Sequence, residues 1–299
     1  MAVLRRDFIS ALAGSMGALS AGAGVQAAPA GRNFQFDPRR QYQMPAHFGE
    51  RFRGQSSARY LDVTTMGVSY LTDPDKLIQY LPAPFEVGAE ARITVHYGMN
   101  REVEWLAGGG DNLLGVDAQV RFNGKVDQLE GGYCLVLWEN ETDPILTGRE
   151  LQGIPKIYAD IEDHTVIRGV WRATASHRGH KIVDMTIHDL QPLSAEEVAE
   201  ARRSLAASNW MAWKYIPNTG RPGAAVSHAT VFPVSSSPKQ IWLGKGEVEW
   251  QRLTWEQNPT QAHIVNALKE LPILEYGPAF VSKGSTNLSV PGRPVRQIR

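Results

Sequence analysis

The sequence predicts a mainly β, α+β fold, and three observations carry that expectation. From residue 60 onward, run after run either alternates apolar and polar residues or is continuously apolar, and Gly, Asn and Asp turns separate the runs. Only three stretches carry helix start and stop signals. No period of about 20 to 50 residues repeats and no linker divides the chain, so the strands belong to one domain, and closing them into a barrel with helices at its periphery would remove exposed edges.

The elements follow in order. Residues 1–27 begin with Arg5 and Arg6, continue through a weakly apolar Ala/Gly/Leu run, and end in small residues at Val25-Gln26-Ala27, the pattern of a twin-arginine export signal. The expected location is therefore periplasmic or secreted, with no stable membrane insertion once the signal is removed. Residues 28–58 mix Pro, Gly, Arg and Gln without period and read as an extended N-terminal arm; the domain proper is 59–299. Strand character starts at Tyr60, and a short helix fits residues 73–81, with Asp73 as N-cap, Pro74 at the first helical position and Pro82 beyond its end. Residues 91–99, 117–124, 131–140, 156–162, 165–175 and 181–190 read as further strands. A second helix starts at a capping box, Ser194 with Glu197, and ends before Pro217. Strands at 226–234 and 239–253 precede a last helix capped at Asn258, and residues 273–288 form a final strand or loop.

Composition narrows the function. With 42% hydrophobic, 9% aromatic and 21% charged residues, the chain is an ordinary globular protein. Lys plus Arg and Asp plus Glu balance at 31 each, so no global field attracts nucleic acid. The single cysteine, Cys134, has no disulfide partner within the chain and sits in an apolar strand, as a buried small hydrophobe does. No phosphate loop, dinucleotide fingerprint, paired-cysteine zinc motif or G-x-S-x-G elbow is present, and no cofactor is expected. His177 and His180 flank Arg178 and Gly179 and read as a basic solvated turn, so no metal site is assigned. Gly108-Gly109-Gly110 lacks a following Lys-Ser or Lys-Thr and reads as a flexible loop or a close backbone approach.

Lys156, between Pro155 and Ile157 at the start of an apolar strand, is the residue that stands out. On the pattern alone it either extends to solvent or sits in a pocket where desolvation favours the neutral amine. The run Gly148-Arg149-Glu150-Leu151 through Pro155-Lys156 decides between them, because it resembles the G-R-E-L-x-x-x-P-K motif of the acetoacetate decarboxylase family. The similarity extends to residues 70–87, to the RFNG at 121–124 and to 209–218, and spans about 58 to 290 in the family's order. It implies a closed β-barrel or cone with peripheral helices, an internal active site, a homo-oligomer, a small keto-acid substrate and Lys156 as the catalytic Schiff-base lysine.

The chemistry explains the requirement. A neutral amine attacks the substrate ketone and loses water, and the protonated imine then takes up the electron pair released when a neighbouring bond breaks. Bringing a lysine from about 10.4 to about 7 costs the charged form roughly 4 to 5 kcal/mol, and a neighbouring cation is one device for it, which acetoacetate decarboxylase itself exemplifies. This chain departs there: the family's second lysine is replaced by Ile157. The positions of the family's two pocket glutamates fall on Thr94 and around Asn112-Leu113, and Arg59 is out of register with its pocket arginine. Some members keep the lysine but join a keto acid to an aldehyde and eliminate water, using pocket amides and a tyrosine. Gln152, Asn112 and Tyr276 are candidate substrate contacts, with His96 and Tyr97 as further acid-base groups. Arg149 and Glu150 either contact substrate or form an ion pair that positions the motif. Two readings stay open: a Schiff-base carbon-carbon lyase acting on a small keto acid, and a non-catalytic exported barrel that binds a small ligand.

Overall fold

The computed structural model describes residues 33–50, 58–233, 235–289 and 292–299. The chain separates into a unit of residues 1–51 and a unit of residues 52–299. The export signal lies outside the described residues. In the first unit, residues 33–50 hold a 3₁₀ turn at Ala46–Phe48. Phe34, Phe36 and Tyr42 meet edge to face, with centroids 5.0 to 6.1 Å apart.

The second unit is built almost entirely of strands: β1 Arg59–Leu71, β2 Phe85–Val87, β3 Arg92–Val103, β4 Gly109–Asn123, β5 Gln128–Glu139, β6 Lys156–Tyr158, β7 Thr165–Ile167, β8 Val170–His177, β9 His180–Pro192, β10 Asn209–Pro217, β11 Ala224–Pro233, β12 Ser236–Trp250, β13 Glu275–Asn287 and β14 Arg296–Gln297. Among the described residues four α-helices punctuate them: α1 Pro74–Leu77, α2 Thr142–Thr147, α3 Ala195–Ala207 and α4 Ala262–Glu270. The main path of the sheet runs β14-β11-β10-β5-β4-β3-β1-β13-β12-β9-β8-β7, with β2 on β4 and β6 on β5. Most neighbours are antiparallel, but β10 and β6 both lie parallel to β5.

The mainly β architecture with peripheral helices is present, but the expected closed barrel is not. The ends of the path, β14 and β7, do not pair. Instead the sheet curls: Phe232 and Pro233 at the end of β11 and Thr286 at the end of β13 line one cavity, although these strands share no ladder. Burial splits by face. Tyr97, Leu114 and Trp138, cross-strand neighbours on β3, β4 and β5, belong to the large core with Met66, Val68, Val265 and Leu268. Leu137, Cys134, Ile154, Ala212 and Phe232 make a smaller cluster flanked by Leu113 and Trp210. Burial pushes the Cys134 thiol well up, as expected of an inert core cysteine.

Local signals explain most boundaries. The Asp73 side chain accepts from the Asp75 and Lys76 amides, and Ser194 with Glu197 closes the capping box. Three expectations are corrected. The Ser194 helix stops at Ala207, and residues 209–217 are β10, because Trp210, Met211, Trp213, Tyr215 and Ile216 gain a ladder with β11 that a continued helix would forgo. The last helix takes Gln261 as its N-cap residue. Asn258 contributes its backbone carbonyl to the Ala262 amide, and its side-chain oxygen faces His177 Nδ1 at 3.1 Å. Residues 165–175 form not one strand but the β7–β8 hairpin, turning at Arg168 and Gly169, both with positive φ.

Candidate active site

The GREL segment forms a single π-helical turn, Gly148–Gln152, directly after α2. Such turns are rare and displace the backbone by one residue. Gly153 ends it at φ +84°, a left-handed conformation that suits glycine, and the Gly153 and Ile154 amides both donate to the Gly148 carbonyl, at 2.8 and 3.0 Å. The chain is thereby turned to lay Lys156 beside β5, where it pairs with Leu137. Arg149 Nη1 donates to the Lys156 carbonyl at 2.8 Å, and Lys214 Nζ donates to the Glu150 carbonyl at 2.6 Å. A β-carbon at Gly148 would fall 2.6 Å from Lys156 Cδ, so any larger residue there would displace the lysine stem.

Strand alternation then assembles the polar groups. Leu137 and Glu139, two residues apart on β5, share a face, and Lys156 lies alongside them. Its Nζ is 3.1 Å from Glu139 Oε1 and 2.9 Å from Oε2. Lys156 is 9% exposed and Glu139 1%. Across the next ladder Glu139 faces Leu113, and Asp111, two residues before Leu113 on the same strand face, is near enough to act on the Glu139 carboxyl. Asp111 is 2% exposed and accepts from Asn100 Nδ2, its direct partner on β3, at 3.3 Å to both oxygens. Burial pushes the Glu139 carboxyl up to about 8; Lys156 opposes that shift and Asp111 reinforces it. The Tyr60 hydroxyl, which accepts from Trp105 Nε1 at 3.1 Å, is also raised, first by burial and then by Asp111.

A cavity of about 150 Å³ opens on these groups, lined by Tyr60, Asn100, Glu139, Gln152 and Lys156 against an apolar wall that includes Leu113, Trp210 and Phe232. At about 30 Å³ per water, it has room for about five waters or a small carbonyl compound. Among the described residues lining it, Lys156 is the one cation and Glu139 the one carboxylate.

The sequence candidates separate sharply. Lys156 and Gln152 meet in the cavity. Arg149 holds the motif's backbone and the Glu150 carbonyl is held by Lys214; neither residue lines the cavity, and no ion pair joins them among the described residues. Asn112 points to the other face, where its side chain accepts from Arg101 and donates to the Ile161 carbonyl and Asp163. The Tyr276 hydroxyl bonds the Val248 backbone, far along the sheet from β6. Tyr97 accepts from the His164 amide, and burial pushes its hydroxyl up to about 12. His96 pairs with Asp117 at 3.3 Å. The sequence reading missed Glu139 and Asp111. Glu139 had a signal, since it lies two residues beyond Leu137 on a strand; Asp111 was hidden behind the glycine run that begins β4. No cluster of three or more metal-ligating side chains occurs among the described residues.

A curved, mainly β scaffold holds a buried lysine against a buried carboxyl at the wall of a small cavity, the arrangement of an enclosed small-molecule site. Residues 43–284 match the sequence model for acetoacetate decarboxylase, and the chain belongs to that family. It is 25% identical over 225 residues to the acetoacetate decarboxylase of Burkholderia ambifaria, covering 73% of this chain and 80% of that one, and the Burkholderia multivorans protein matches equally. Its fold is similar to the crystal structure of acetoacetate decarboxylase from Legionella pneumophila, with a TM-score of 0.66, 21% identity and coverage of 82% and 88%. It is also similar to the enduracididine biosynthesis enzyme MppR complexed with the condensation product of pyruvate and imidazole 4-carboxaldehyde, with a TM-score of 0.63, 17% identity and coverage of 86% and 95%.

Proposed function

We propose that this protein is a Schiff-base-forming carbon-carbon lyase in which Lys156 condenses with a small keto acid. The observation that carries the reading is the enclosure of the lysine amine in a cavity against a buried carboxyl. The amine lines the cavity, where the carbonyl carbon of a bound keto acid can reach it, and attack there uses the nitrogen lone pair. The cavity admits a small acid, and Gln152 and Asn100 offer amide groups to its oxygens. Either carbon dioxide loss, the activity named for the family, or condensation with an aldehyde, the chemistry named for MppR's bound product, draws on the same imine as electron sink. The test is turnover. Offered acetoacetate, and separately pyruvate with an aldehyde, the protein should convert at least one, and Lys156→Met should abolish conversion. Reversible binding of these acids without product would instead establish a non-catalytic ligand-binding protein.

We also propose export through the twin-arginine route, on Arg5 and Arg6 followed by the small-residue site at 25–27. Replacing both arginines by lysine should leave the precursor in the cytoplasm, as cell fractionation would reveal. Unchanged export of that variant would refute the assignment.

A further inference from the structure

We infer that Glu139 is the acid that returns a proton to substrate carbon, and that Asp111 is the positioning residue that keeps this acid loaded. The inference rests on the Schiff-base reading and adds to it the group that handles the proton. Among the described titratable groups, those facing the Glu139 carboxyl are Lys156 on β6, Asp111 on β4 and Tyr60 on β1. Glu139 Oε1 accepts from the amine, whereas Oε2, 2.9 Å from the same nitrogen, has no aligned hydrogen bond and is the oxygen placed to carry a transferable proton. Asn100 donates to both Asp111 oxygens and anchors that carboxylate beside Glu139.

The sequence of charges makes the arrangement productive. In the protonated imine, Lys156 nitrogen is cationic and favours ionised Glu139. When a bond to the neighbouring carbon breaks, its electron pair forms a C=C bond and the C=N pair becomes the nitrogen lone pair, so the cation disappears. Only burial and Asp111 then act on Glu139, both in the same direction, and it takes up a proton: the one released from carbon when a C–H bond breaks, which then exchanges with solvent, or one from solvent when carbon dioxide leaves. Glu139 next gives that proton to the terminal enamine carbon. The C=C pair becomes the new C–H bond, the nitrogen lone pair restores the iminium, and Glu139 is left as carboxylate. Water adds to the iminium carbon while Glu139 accepts one of its protons. Glu139 then relays a proton from the hydroxyl oxygen to nitrogen, the C–N bond breaks, and the ketone, the neutral amine and protonated Glu139 are regenerated.

Methyl-hydrogen exchange of pyruvate in deuterium oxide, followed by proton NMR, isolates this step, because exchange requires the enamine but no second substrate. Borohydride labelling of the same samples reports imine formation separately. Glu139→Gln is expected to label at Lys156 yet exchange on the order of 100-fold more slowly, the lower end of what general acid-base catalysis contributes. Asp111→Asn should also label, with exchange slowed about 10-fold and its pH profile displaced to lower pH; Glu139→Asp should recover part of the exchange. Labelled Glu139→Gln exchanging at the parental rate would overturn the role of Glu139, and an undisplaced pH profile in Asp111→Asn would overturn that of Asp111. Absence of labelling in the parent would overturn the Schiff-base reading itself, a result distinct from either.

Discussion

Glu139 and Asp184 are both buried strand carboxylates in contact with a lysine, yet their proton affinities move in opposite directions. Asp184, on β9, accepts from Arg172 Nε on β8 at 2.8 Å and from Lys181 Nζ at 2.8 Å, and these partners hold its carboxyl below the usual range, Arg172 most strongly. Its two cations remain about half exposed, at 50% and 43%, so they stay hydrated while they neutralise it. Glu139 has one cation, itself nearly inaccessible, and a second carboxylate at hand. Solvated cations outnumber Asp184, whereas Glu139 is buried with one amine and one like charge, and that difference in surroundings sets the opposite directions.

The largest effect that would sharpen this contrast concerns the face opposite the site. Ile157 pairs with Trp138 and packs on the large core, so strand alternation directs position 157 away from the cavity. Ile157→Lys should lose roughly 2 to 4 kcal/mol in chemical denaturation through an unpaired buried charge, without acquiring acetoacetate decarboxylation. A stable variant that releases carbon dioxide faster than the parent would show that the second cation acts through the backbone plane. A smaller difference appears in stability against pH. Because folding raises the Glu139 proton affinity, the stability it contributes is full below about 4.5 and is lost as pH rises toward about 8. That slope, on the order of a few kcal/mol, should vanish in Glu139→Gln. Asp184 has the opposite sign: its contribution is present above 3.8 and is lost only as pH falls below that value. Asp184→Asn should therefore reduce stability at neutral pH, by no more than about 1 kcal/mol given the exposure of its cations. Urea midpoints across the range distinguish the two, and parallel curves for both variants would break the comparison. Smallest is Gly148→Ala, whose methyl would press on the lysine stem; turnover should fall about 10-fold with little change in thermal unfolding. Unchanged turnover would mean that the stem has room to yield.

How much of this was legible depended on whether the signal was local. Asp73, Ser194 and Glu197 cap helices through bonds spanning two or three residues, and their pattern is written in the sequence. Lys156 was legible through its motif, and Gln152, four residues earlier, reached the cavity with it. The parallel pairing of β6 with β5 joins segments across a helix and a π-helical turn, and nothing in either segment alone sets the register that brings Glu139 to Lys156. Asp111 needs one further ladder to arrive, from β4 to β5, and its partner Asn100 another, from β3 to β4. Asn112, adjacent in sequence, was the residue selected, and a one-residue offset on a strand is the difference between the two faces. β10 was misread because tertiary pairing with β5 and β11 overrode a helix pattern whose stop signal, Pro217, lies at the far end of the strand rather than at Ala207.

The central claim is that Lys156 forms an imine with a small keto acid, and reductive trapping tests it most directly. After incubation with pyruvate and borohydride, peptide mass spectrometry should find one reduced adduct per chain, on Lys156, and none in Lys156→Met. An adduct on another lysine, or labelling that persists in the variant, would contradict the account.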